Sequence, residues 1–501
     1  MSEHRRDAVA TAGLLSALCI AAAAVMAGPV TAHAETLNEA LAAAYANNPI
    51  IAGERAQARA VDEELPEAQS GFRPSVTANA DYGISSLRTG VADFRNADGS
   101  APSDFQILAN KRQMQRNDGT THPGGVSIVL SQPIFNGFQT LSAVRQAEAN
   151  IGASRARLHD TEQSLLFDSA RAYTDVVRDG TVVRLRENNL KVLSSELQAT
   201  RERFAAGAMT RTDVSQALAR RAGALAELDR AKADLRASLA EYERMIGHPA
   251  ENLKDPRPLG AELPATLDEA LAIADAESPE VNEATFLEEA SEHEITFIEG
   301  EYLPHVRLDA THQERFETNP WVDQQQSQSI IARMSMPLYS SGDIEARVRQ
   351  AKHRRHSRLQ AIEEARQQSR ARTIAAWAQL NASRGQYEAV SQQVRASEDA
   401  LNGVREEQAA GQRTLLDVLD AERELVEAEV AQAHARRDLV LVSYNVLGAI
   451  GRLTARQLNL DVALYDAEQH TRVVDRLAWG YSVEEVEGYE GYWPASEQGT
   501  E

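Results

Sequence analysis

Hydrophobic positions follow two different periods along this chain. After Pro74, Val76, Ala78, Ala80 and Tyr82 alternate with Ser75, Thr77, Asn79 and Asp81; after Pro304, Val306, Leu308 and Ala310 alternate with His305, Arg307, Asp309 and Thr311. A period of two predicts strands. Two further strands end at Pro133 and Pro337: Val126, Ile128 and Leu130 oppose Ser127 and Ser131, and Ile330, Ala332, Met334 and Met336 oppose Arg333 and Ser335. The predicted strands cover about 75–88, 124–133, 305–313 and 328–337. At roughly nine to eleven residues each, they are long enough to cross a bilayer at a tilt.

Beyond each strand pair proline disappears, with none between Pro133 and Pro249 or between Pro337 and Pro494, and the spacing becomes helical. Leu190, Leu193, Leu197 and Phe204 form one stripe; Val214, Leu218, Leu225, Leu228, Leu235, Leu239 and Ile246 form a second; Val426, Val430, Ala433, Val440, Tyr444 and Leu447 form a third. Their three, four and seven spacing predicts coiled-coil seams. The pattern from Gln139 to Ala205 predicts a rod on the order of 100 Å at about 1.5 Å per residue. A compact domain needs no such helix.

The plan is written twice. Thr36-Leu37-Asn38-Glu39-Ala40-Leu41 returns as Thr266-Leu267-Asp268-Glu269-Ala270-Leu271, and both open with the Thr-x-x-Glu spacing of a capping box. Further along, Pro133 matches Pro337, Val144-Arg145-Gln146-Ala147 matches Val348-Arg349-Gln350-Ala351, Gly207 matches Gly411, and Gly247 matches Gly451. The first copy carries a longer insertion between Pro74 and Pro133, rich in Gly, Asp, Asn and Ser, a composition suited to an exposed loop. The expected organisation is a first repeat over 35–265 with a helical turn at 207, a second over 266–459 with a turn at 411, and an acidic segment over 460–501, expected to be partly disordered.

Composition narrows the compartment. Arg5 and Arg6 precede an apolar run from Leu14 to Met26, and Ala32-His33-Ala34 supplies the small-x-small pattern of a cleavage site, so residues 1–34 are predicted to be a cleaved secretory signal. Cys19, the only cysteine, lies inside it, which leaves the mature chain without disulfides or thiol chemistry. A net charge of −22 lacks the basic footprint of a nucleic-acid binder. No phosphate loop, His-Glu-x-x-His helix or nucleophile elbow is present, so neither an enzyme nor a cofactor or metal site is predicted. Lys352-His353-Arg354-Arg355-His356 has the look of a metal or phosphate site, but a charge run on a long helix is more simply a solvated face.

Strands can cross a bilayer only as a closed barrel, because an open edge leaves backbone groups unpaired in hydrocarbon at several kcal/mol each. Four strands cannot close. Two chains would give eight strands with a filled interior, and three would give twelve with a lumen. Polar residues such as Ser75, Asn79, Asp81, Arg307, Asp309 and Arg333 would then point inward, the reverse of a soluble core. The competing reading is a soluble antiparallel sheet with one wet face; the secretory signal, the missing thiols and the very long helices favour the membrane barrel.

The duplicated order of helix, strand pair, long helix, glycine turn and return helix, with Phe204-Ala205-Ala206-Gly207-Ala208-Met209-Thr210-Arg211-Thr212-Asp213-Val214 and Gly411-Gln412-Arg413-Thr414-Leu415-Leu416-Asp417-Val418-Leu419-Asp420-Ala421, resembles the TolC-type outer-membrane efflux proteins. The resemblance runs to about Asn459. It implies a mixed α and β fold, a homotrimer with a twelve-stranded transmembrane barrel embedded in outer-membrane lipid, continued by a helical tunnel through the periplasm of a Gram-negative bacterium. It further implies a passive exit duct for efflux or type I secretion, joined to an inner-membrane transporter through a periplasmic adaptor. The alternative is a periplasmic coiled-coil adaptor or scaffold without a pore.

Candidate functional residues lie at the two helical turns. Gly207 and Gly411 end two seams, and Thr210-x-x-Asp213 and Thr414-x-x-Asp417 restart helices as capping boxes. The resemblance implies carboxylate rings from Asp417 and Asp420 at a periplasmic entrance, cation-favouring in chemistry, with Arg413 pairing to Thr212 and Asp213 to hold it closed. Gln408 stands where the family's best-known member has a gating tyrosine, which weakens or removes that link. Gly207, Ala208, Thr210, Gly411, Gln412 and Thr414 are the tip positions expected to meet an adaptor.

Overall fold

A computed structural model describes residues 34–87, 100–101, 103–109, 119–319 and 322–475. The predicted signal, most of the loop insertion and the chain after residue 475 lie outside these residues. The described residues divide into two units: one comprises those within 34–54, 158–279 and 366–465, the other those within 55–157, 280–365 and 466–475.

The chain opens with helices α1 (Leu37–Asn47), α2 (Pro49–Asp62) and α3 (Glu64–Ser70), continues through strands β1 (Ser75–Tyr82), β2 (Ser85–Leu87), β3 (Gly119–Thr121) and β4 (Gly124–Asn136), and enters α4 (Gln139–Ala205) and α5 (Arg211–Ile246). A corresponding series follows: α6 (Leu267–Glu277), α7 (Pro279–Glu299), β5 (His305–Asn319), β6 (Val322–Ser335), α8 (Asp343–Ala409) and α9 (Leu415–Ala449), with α10 (Ala467–Val474) after it. Both α4 and α8 are 67 residues long. No described helix is long and apolar enough to cross a membrane.

The first unit is all helical among its described residues. Thr36 caps α1 with a complete box: its hydroxyl accepts from the Glu39 N–H, and the Glu39 carboxylate accepts from the Thr36 N–H at 2.6 Å. Only half of the corresponding box forms at α6, where Thr266 accepts from the Glu269 N–H but Glu269 turns to the Ala265 N–H at 2.8 Å. Tyr173 of α4 and Tyr242 of α5 are fully buried against each other, and their hydroxyls donate to the Glu35 carbonyl and carboxylate respectively. The capped entry segment is thereby pinned to the hairpin.

Along α5 the buried line is Ala217, Ala224, Leu228 and Ala231, whereas Leu218 and Leu225 of the predicted seam are 46% and 40% exposed. Alanines recurring every seven residues let helices approach closely inside the chain. The leucine row one position over is left facing outward.

The second unit holds a four-stranded antiparallel sheet in the order β1-β4-β5-β6, with β2 and β3 pairing separately. β5 and β6 run 15 and 14 residues, beyond the 305–313 and 328–337 that alternation alone suggests. Gln324, Gln325, Gln326 and Gln328 erase the apolar signal there while ladder bonds continue the pairing. The basic run of α8 lies on an exposed face, where Lys352, Arg354 and Arg355 form ion pairs with Glu299, Glu294, Glu288 and Glu292 of α7 at 2.6–3.1 Å. Within the acidic segment after residue 460, the described residues include α10, where His470 lies buried 3.1 Å from buried Asp62.

Candidate functional site

Two helical hairpins in the first unit carry the sequence-predicted residues. Each reversal is built the same way. At the end of α4 the Gly207 N–H donates to the Phe204 carbonyl and the Ala208 N–H to the Arg203 carbonyl; at the end of α8 Gly411 donates to Gln408 and Gln412 to Glu407. These paired bonds form Schellman motifs, and the left-handed residue each requires is glycine, with φ of 77° and 76°. Three residues after each glycine Thr210 and Thr414 restart a helix: each hydroxyl accepts from the backbone N–H of Asp213 or Asp417, whose carboxylate accepts from the threonine N–H at 2.8 Å. Terminal carbonyls of one helix and terminal amides of the next thus find partners within eleven residues, 203–213 and 407–417.

These bonds hold both carboxylates below the ordinary aspartate range. For Asp213 the Thr210 backbone N–H is the leading cause and its hydroxyl the next. For Asp417 the Thr414 hydroxyl leads, followed by the N–H, and Arg413 adds a smaller attraction. Each donor favours the ionised form. Capping therefore occupies both residues while leaving them at the surface.

Asp420, one turn past Asp417, is 55% exposed and forms an ion pair with Arg220 of α5 at 2.5 Å. This pair links the two hairpins, as does a hydrophobic cluster in which Leu193 of α4, Ala224 of α5 and Leu415 and Leu419 of α9 are buried, with Met209 packed against it. Within the chain Arg413 is not brought to Thr212 or Asp213; its guanidinium binds Glu407 at 2.8 Å, which raises its pKa further. Gln408 contributes its backbone carbonyl to the Gly411 turn. Arg405 ties α8 to α9 through the nearly buried Glu422 at 2.8 Å. Sequence reasoning missed Arg220, Glu407 and the Arg405–Glu422 pair. Glu407 was findable, since it lies six residues before Arg413 across a tight turn; Arg220 is 200 residues from Asp420 and gives no local signal.

In the second unit, one face of the sheet is polar and held by its own charges. Asp309 accepts from the Ser131 hydroxyl at 2.8 Å and pairs with Arg307 and Arg333 at 3.2 and 3.0 Å. The opposite face is apolar and unburied: Val76, Tyr82, Val126, Ile128, Ile330 and Met334 are all 46–80% exposed. Its apolar band is oblique. The row Val76, Leu130, Ala310 and Ile330 crosses all four strands in register. Towards Tyr82 from this row, β1 and β4 continue apolar through Ala78, Ala80, Ile128 and Val126, while β5 and β6 turn polar at His312, Glu314, Gln328 and Gln326. In the other direction β4 turns polar at Gln132, while β5 and β6 stay apolar through Leu308, Val306, Ala332 and Met334. Between the β1–β4 pair and the β5–β6 pair the band thus moves by about two residues per strand on average, which at about 3.4 Å per residue and 4.8 Å between strands corresponds to a strand tilt of roughly 55°.

Comparison with known proteins agrees with this architecture. A family model described as outer membrane efflux protein matches residues 40–248 and 270–452. The chain is 34% identical over 461 residues to the outer membrane efflux protein BepC of Brucella suis, covering 91% of this chain and 94% of that protein. It is 26% identical to the alkaline protease secretion protein AprF of Pseudomonas aeruginosa, over 62% of this chain and 66% of that protein. The Campylobacter jejuni CmeC outer membrane channel has the same fold at 14% identity, with a TM-score of 0.72 over 88% of this chain and 89% of that one. The chain belongs to the outer membrane efflux protein family, and its place is the outer membrane.

Proposed function

We propose that three copies of this internally duplicated chain close their sheets into one twelve-stranded barrel and act as a passive exit duct, taking cargo from an inner-membrane transporter through a periplasmic adaptor. The oblique apolar band carries the reading. A soluble sheet has no reason to set its apolar limit diagonally across its hydrogen-bonded rows. Strands that cross lipid at a tilt do, because the bilayer is flat while the strands are inclined, typically by about 35–45°. The outward-facing Leu218 and Leu225 supply a second seam, available to a neighbouring copy. A pore-free adaptor or scaffold would leave the exposed band formed by Val76, Ile128, Ile330 and Met334 without a role.

Three copies of the second hairpin would gather Asp417 and Asp420 around the tunnel entrance. Capping uses only part of each Asp417 carboxylate, and the Arg220 partner neutralises Asp420 until the hairpins separate. Opening would therefore expose charge as well as widen the entrance. The tip positions Gly207, Ala208, Thr210, Gly411, Gln412 and Thr414 form the surface for an adaptor, and the Arg413 contact to Thr212 and Asp213 would be made between copies at the expense of Glu407. AprF, a secretion protein for alkaline protease, gives precedent for protein cargo, and BepC for efflux.

Planar-bilayer recording tests this. Purified protein should conduct with cation preference, and the double change Asp417→Asn with Asp420→Asn should reduce that preference and the block by multivalent cations. Correctly assembled trimers that do not conduct would refute the duct.

A further inference from the structure

The sheet ends in two unpaired edges, β1 and β6. Strand direction alternates through β1, β4, β5 and β6, so in a ring of copies β6 of one must lie antiparallel beside β1 of the next. The apolar band also fixes where they meet. Continuing its drift of about two residues per strand across the seam sets Leu338, three residues past the end of β6, beside Pro74 to Val76 at the start of the neighbouring β1.

That placement joins two otherwise unexplained features. Leu338 is 93% exposed, and no contact within its own chain accounts for so large an apolar surface. Next to the start of β1 lies an apolar recess of about 230 Å³, lined by Phe72, Ile134, Phe135, Phe138 and Leu141. One wall is an edge-to-face pair, Phe135 and Phe138, with ring centroids 5.1 Å apart. Phe138 holds that position with φ of +64°, a conformation that a bulky side chain rarely adopts and that surrounding structure must enforce. The recess is preformed, and no described residue of its own chain fills it.

We propose that Leu338 of each copy inserts into the Phe72–Phe138 recess of the next copy, and that this knob and socket sets the register of the β6–β1 seam. The proposal rests on the closed-ring reading above and adds its locking contact. Burial of one leucine in an apolar socket favours the correctly registered seam over slipped ones, and slippage is the particular hazard of an edge-to-edge strand pairing.

The test uses the mature chain purified in detergent. With Cys19 in the predicted signal as the only native cysteine, introduced pairs report without background. Val76→Cys combined with Leu338→Cys should give covalent dimers and trimers on oxidation, while either change alone should not, since a disulfide needs Cα atoms within about 7 Å. Because Leu338 is exposed in the single chain, Leu338→Asp should leave the subunit folded by circular dichroism but lower the temperature at which the trimer dissociates, and Leu338→Met should restore it. An intact trimer, by native mass, in which Val76→Cys cross-links to Ile330→Cys or Met334→Cys and Leu338→Asp has no effect would overturn the socket and leave the ring standing. A monomeric protein would overturn both.

Discussion

The two hairpin tips share one backbone and differ in what they hang on it. Both end a long helix with a Schellman turn on a left-handed glycine and begin the next with a Thr–Asp capping box. At corresponding positions, however, the first tip has Arg203, Phe204, Met209 and Gln216 where the second has Glu407, Gln408, Arg413 and Asp420. Met209 packs on the apolar cluster, whereas Arg413 reaches back to Glu407 and Asp420 reaches across to Arg220. Both tips share that apolar cluster, to which the second hairpin contributes Leu415 and Leu419, and the second tip adds two ion pairs to it. Screening weakens exposed ion pairs and leaves apolar contacts in place, so the second tip carries, besides its packed leucines, contacts that can be exchanged cheaply.

The largest test of that contrast is Leu419→Ala. Leu419 is 3% exposed in the cluster shared by both hairpins, so its loss should cost about 2–4 kcal/mol in unfolding experiments. It should also raise amide exchange at both tips; a change confined to α9 would mean the hairpins are not coupled there. Next come Gly207→Ala and Gly411→Ala, each forcing a Cβ into a left-handed turn at a cost of about 1–2 kcal/mol. Equal losses would support a common backbone, and clearly unequal ones would break the comparison.

Thr210→Ala and Thr414→Ala should each cost about 0.5–2 kcal/mol, and they bear on pH as well. Asp213 and Asp417 are depressed in the folded state, so their contribution is complete above the unfolded aspartate value of about 3.9 and is lost as pH falls through the lower folded value. Protection of the tip amides, taken relative to the intrinsic exchange rate at each pH, should therefore fall below about pH 4 in the unmodified protein, and removing the threonine should flatten that response. The smallest effect belongs to Arg413→Ala, whose partner Glu407 is half exposed. The loss should stay within about 1 kcal/mol and vanish at high salt, whereas a loss at Met209→Ala should persist there.

Local chemistry was legible in the sequence, and long-range chemistry was not. Thr-x-x-Asp after glycine specified both tips because every bond in them closes within a few residues. The alternation at Val76–Tyr82 and Val306–Ala310 revealed strands, but the glutamines at 324–328 hid the continuation of β6 because a wet ladder needs no apolar partner. On α5 the period was legible and the orientation was not: the leucine row at 218 and 225 and the alanine row at 217 and 224 have the same spacing, and only packing decides that alanine turns inward. Family resemblance pointed Arg413 towards Thr212 and Asp213, while within one chain the nearer Glu407 takes it. The Asp420–Arg220 pair, formed between residues 200 positions apart, left no trace in either sequence neighbourhood.

Each reversal closes its turn and its capping box with bonds made inside the hairpin, so neither depends on a contact from outside. A visiting molecule that lands on such an end neither repairs a broken helix nor leaves a torn one behind when it departs. The surface is thus reusable, and successive callers can come and go without any refolding of their host.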